Sequence, residues 1–106
     1  MIITTAPHVT GYRTTKTFGL VRGNTIRARH VGKDIVAVFK NMVGGEIEEY
    51  TKMMAESREQ AVDRMMAEAQ SKGANAVVWV RFTTSSIMGS ASEILAYGEA
   101  VSIEAE

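Results

Sequence analysis

Apolar residues change their spacing along this chain, and each change marks an element. Met1 to Thr5 is a short β-branched run stopped by Pro7. Thr17 to Arg22 and Thr25 to Arg29 flank Gly23-Asn24, a dipeptide that reaches positive φ cheaply and predicts a tight hairpin turn between two strands. From Lys33 to Val43 the period lengthens. Ile35, Val38, Phe39, Met42 and Val43 fall at i, i+3, i+4, i+7 and i+8, which predicts a short amphipathic helix ended by Gly44-Gly45. A second helix is predicted from about Glu46 to Lys72, roughly 40 Å long. Ile47, Tyr50, Met54, Ala61, Met65 and Ala69 form its apolar stripe, and Glu49, Lys52, Glu56, Glu59 and Asp63 form the opposite face. Glu48 with Lys52 and Arg64 with Glu68 are i,i+4 pairs.

Gly73 is the expected left-handed stop for that helix. Ala76 to Val80 is then apolar without interruption, the pattern of a strand covered on both faces. Strict alternation places Val78, Val80 and Phe82 on one face and Val77, Trp79 and Arg81 on the other. Thr83 to Ser92 is rich in hydroxyls, contains Gly89, and reads as a loop or irregular edge. In the last strand Leu95, Tyr97, Val101 and Ile103 face one way. Ala96, Gly98 and Ala100 face the other and leave a shallow track for a helix.

Composition narrows the class. With 106 residues the chain is read as a single domain, 1–106. Twelve Lys and Arg balance twelve Asp and Glu, so no basic excess points to nucleic acid. No apolar run approaches a membrane helix, and no signal-peptide pattern stands at the N-terminus, so a soluble cytoplasmic protein is expected. Zero Cys excludes disulfides, thiol nucleophiles and thiolate metal sites.

Two features of the long helix ask for a partner. Val62 and Met66 extend its stripe beyond Met65, so the apolar arc spans roughly 160°, wider than the ~100° one packing surface needs. Burial against neighbouring subunits is expected, and seven Met residues suit irregular contacts. Arg58 lies near the middle of this stripe. A buried guanidinium needs a carboxylate, so a structural ion pair with Glu93 or Glu99, within or across subunits, is expected; the alternative is a side chain that reaches past the stripe into water.

Several segments together resemble the YbjQ-like family, whose members are described as heavy-metal-binding. They are Thr4-Thr5-Ala6-Pro7, Gly19 to Gly23, Gly44-Gly45 followed by Tyr50, and Ser57-Arg58 with Ala61. Gly73 to Phe82 with Glu93 to Val101 is the closest correspondence. The resemblance implies an α+β fold, with a small antiparallel sheet wrapped on one long helix plus a short helix. It further implies a dodecin-like subunit in a ring-shaped homopentamer. Trp79 stands where family members often carry Gly, and Glu99 where they often carry Thr. Trp79, Tyr50, Met66, Arg58, Glu93 and Glu99 are therefore the expected interface and ion-pair residues.

Little in the sequence supports chemistry. Soft metals prefer thiolate and imidazole. The groups a metal site could draw on are His8, His30, Glu93 and Glu99, in no ligand spacing. Thr83, Thr84, Ser85 and Ser86 have no neighbouring His base, and the Gly-Gly pair lacks the phosphate-loop pattern, so no catalytic residue is expected. Arg22, Arg27, Arg29, His30 and Lys33 form a candidate patch for a small anionic ligand. The expected protein is a cytoplasmic homo-oligomer with a small-ligand-binding or scaffold role, no cofactor and no catalysis. The alternative is binding of a heavy metal or other ion at subunit interfaces.

Overall fold

The computed structural model of the chain describes residues 1–28, 48–86 and 91–106. Four strands and one helix follow in the order β1 (Ile2–Ile3), β2 (Tyr12–Ala28), α1 (Glu48–Ser71), β3 (Ala76–Ser86) and β4 (Ala91–Ala105). The sheet order is β1-β3-β4-β2. β4 is antiparallel to both β2 and β3, and the short β1 runs parallel to β3. The fold is α+β as expected, with a mixed sheet because of β1. The predicted short helix, Lys33 to Val43, lies outside the described residues.

α1 is 24 residues, about 36 Å long. Its fully buried row is Ser57, Ala61, Met65 and Ala69, spaced by four. Met54 and Val62 pack beside it on the core. Gly73 ends the helix as predicted, at φ 92°. The N–H of Ala74 donates to the Ala69 carbonyl and that of Gly73 to the Gln70 carbonyl, the two bonds of a Schellman cap.

The Gly23-Asn24 turn does not form. β2 is one strand that runs through both residues, with Gly23 opposite Ala96 and Asn24 opposite Leu95. Gly23 is needed for a different reason. A Cβ there would collide with the backbone of Ala61 and Met65, so glycine lets α1 lie directly on β2. The short track predicted on β4 is real. Ile94, Ala96, Gly98 and Ala100 face α1, and Ala96 and Ala100 are completely buried in the core beneath it.

β3 departs from simple alternation. Val78 pairs with Glu99 and Arg81 with Tyr97, so Trp79 and Val80 together oppose Gly98. This is a bulge, with Trp79 at φ 57°. A glycine is the natural residue for that conformation, and a Trp there costs on the order of 1 kcal/mol. Gly98 makes room for it, because a Cβ at Gly98 would stand 2.7 Å from Val77 Cγ1. The extra residue turns Val80 onto the helix face beside Val77, so the predicted faces hold only up to Val78.

The sheet is covered unevenly. At its inner end both faces are packed, Val77 and Ala100 under α1 and Ala76, Val78, Val101 and Ile103 on the far face beneath Val9. Asn75 ties this end together. Its side-chain amide donates to the Ile103 carbonyl and its Oδ1 accepts from the Ile103 N–H, while its own N–H donates to Val101. At the outer end β3 continues through Thr83–Ser86, the segment predicted as a loop, and all six residues from Arg81 to Ser86 are exposed. The principal extents are 55 × 23 × 16 Å and the Cα radius of gyration is 17.4 Å, against about 13 Å for a compact chain of this length.

Candidate functional site

The outer end of the sheet is where apolar side chains, unused backbone groups and charge come together. β3 is an edge strand beyond the reach of β1. The N-terminal segment follows that edge for a short distance. Thr4 donates to the Val77 carbonyl, and the N–H groups of Trp79 and Val80 donate to Ala6 and Thr4. Past Val80 nothing among the described residues pairs with the edge. The outward direction of the Val80 N–H sets the alternation, so Phe82, Thr84 and Ser86 point their backbone groups away from β4.

β2 forms the opposite edge and is guarded in a different way. Lys72 Nζ donates to the Leu20 carbonyl at 3.3 Å, and Arg64 donates to the Asn24 carbonyl at 2.5 Å. Arg64 descends from α1 and Lys72 from the residue just past its end, and both occupy carbonyls that would otherwise template a foreign strand. Arg64 is thereby used on β2 rather than in the predicted pair with Glu68. Glu68 instead lies 3.9 Å from Lys72. Beyond Asn24 the described part of this edge is also open.

Large apolar side chains stand exposed on both edge strands. Trp79 and Phe82 are each 46 % exposed, Leu20 59 % and Ile26 61 %. The Arg81 guanidinium lies 5.3 Å from the Trp79 ring centroid and donates to the Thr5 and Val80 carbonyls, which fixes the ring beside the last guarded position. Phe82 pairs with Ala96 and so lies on the helix face. Because α1 sits over β2, Phe82 is left beside the helix rather than beneath it. An open groove of about 620 Å³ runs between them, lined by Arg58, Glu59, Val62, Asp63 and Phe82.

The structure separates the predicted ion pair. Arg58 is exposed on the groove flank of α1, and the buried position of its turn belongs to Ser57. Glu93 and Glu99 stand on the far face of the sheet, opposite Ile26 and Leu20. Within one chain Arg58 meets neither carboxylate, and it makes no ion pair among the described residues. Glu93 accepts instead from the Asn24 side-chain amide at 3.1 Å. Met66 follows Val62 by one turn on the groove flank and is half-buried. Tyr50 falls in the first turn of α1.

The predicted basic patch is divided as well. Arg22 pairs with Tyr97 on the far face, whereas Arg27 pairs with Ser92 on the helix face. Arg29, His30 and Lys33 lie outside the described residues. His8 is exposed in the N-terminal segment. Glu93 and Glu99 are six residues apart on one strand, about 20 Å. Among the described residues no three His, Cys, Asp or Glu groups converge on a metal position. No described helix is long and apolar enough to cross a membrane. The hydroxyls of Thr83 to Ser86 line the open edge without a hydrogen-bonded His, Asp or Glu among the described residues.

Three contributors here, Phe82, Arg64 and Lys72, are not legible in the sequence. Alternation makes Phe82 an ordinary strand residue, and the guarding roles of Arg64 and Lys72 depend on a β2 that does not turn.

Comparison with known proteins places the chain among close relatives. The YbjQ family description, "Putative heavy-metal-binding", matches residues 1–104. A UPF0145 protein of Dehalococcoides mccartyi is 57 % identical over 104 residues, covering 98 % of this chain and all of the relative. A UPF0145 protein of Thermosipho africanus is 52 % identical, covering 98 % and 96 %. One from Pyrococcus horikoshii is 51 % identical, covering 98 % and 89 %. Among solved structures, a DUF74-family protein from Pediococcus pentosaceus superposes with a TM-score of 0.70 at 15 % identity, covering 98 % of both chains, a likeness of fold alone. From its residues 1–104 and these relatives, the chain is a member of the YbjQ-like, UPF0145 family.

Proposed function

We propose that this chain is a subunit of a cyclic homo-oligomer, a pentamer, that serves a binding or scaffold role in the cytoplasm without catalysis. The observation that carries the reading is the unfinished outer end of the sheet. There Phe82 is exposed on one face and Ile26 on the other, beside strand edges that nothing among the described residues pairs with. Unpaired strand edges and exposed large apolar side chains are hazards for a free monomer and ordinary features of a subunit contact. The ring of five comes from the family resemblance.

Heavy-metal binding does not fit the donors of this chain. There is no Cys, His8 and His30 are the two imidazoles, and the described carboxylates Glu93 and Glu99 are well separated. A soft cation held by carboxylates alone would be poorly matched. Light scattering on purified protein at micromolar concentration tests the reading. Five chains of 11.6 kDa give about 58 kDa, and a species at 11.6 kDa would overturn the assembly. Thermal shift with Zn²⁺, Cu²⁺ and Ni²⁺ tests the metal alternative, for which no stabilisation is expected.

A further inference from the structure

We draw no further inference here: the strongest candidate, the open groove between α1 and β3 that Arg58, Glu59, Val62, Asp63 and Phe82 line, carries nothing because nothing in the structure shows what covers it.

Discussion

The two halves of β3 are one strand with one common partner, yet they are different materials. Ala76 to Val80 is buried except at Trp79, lies between α1 and the N-terminal segment, and has both edges hydrogen-bonded. Among the described residues the backbone of Arg81 to Ser86 bonds to β4 alone, and the segment is exposed throughout. The transition occurs at one bulge. The difference teaches that the packing of this chain is concentrated at the inner end, which on the proposed reading leaves the outer end for contact. Mutations at the two ends should therefore separate cleanly, the inner ones lowering subunit stability and the outer ones lowering assembly.

The largest effect should come from the inner core. Met65 is fully buried over the sheet, and Met65→Ala should cost about 3 kcal/mol in chemical denaturation. Gly23→Ala comes next. Its methyl would press on the Ala61 and Met65 backbone and on Arg64 Cβ, and a loss of about 2–3 kcal/mol is expected. If either variant leaves the subunit as stable as wild type while lowering assembly, the division between halves is wrong. Asn75→Ala removes the paired bonds to Ile103 and should cost about 2 kcal/mol, with the Ile103 amide exchanging faster.

Much of the inner half could be read from the sequence. The long helix, its stop at Gly73, the doubly covered Ala76–Val80 run and the small-residue track on β4 all follow from periodicity and residue size. The failures share a cause. Gly23 has the local signature of a turn, but its role is a contact with a helix more than thirty residues later, which no local pattern encodes. The bulge at Trp79 was invisible because a run of apolar residues has no face to lose. Spacing at 100° per residue puts Arg58 on the stripe, whereas Ser57 takes the buried position in that turn. The hydroxyl-rich Thr83–Ser86 segment read as a loop because an edge strand with little cover has no reason to alternate.

Smaller effects on the subunit should accompany larger ones on assembly. Trp79→Asn removes the left-handed penalty of a bulky residue and should change the stability of the isolated subunit by less than about 1 kcal/mol. Its assembly, followed by light scattering, should weaken at least tenfold. Thr84→Pro is the smallest perturbation of the subunit. It removes an outward N–H from an edge strand without touching the ladder to β4, so the isolated subunit should stay within about 0.5 kcal/mol of wild type. It should nevertheless block addition of a neighbouring strand.

Amide hydrogen exchange along β3 tests the central claim most directly, comparing dilute and concentrated wild-type protein. The account predicts that the amides of Val77, Val78 and Val80 are slow in both samples. Those of Phe82, Thr84 and Ser86 should be fast when dilute and at least tenfold slower once the protein assembles. Equal exchange of Phe82, Thr84 and Ser86 in the two samples, with assembly verified by light scattering, would contradict it.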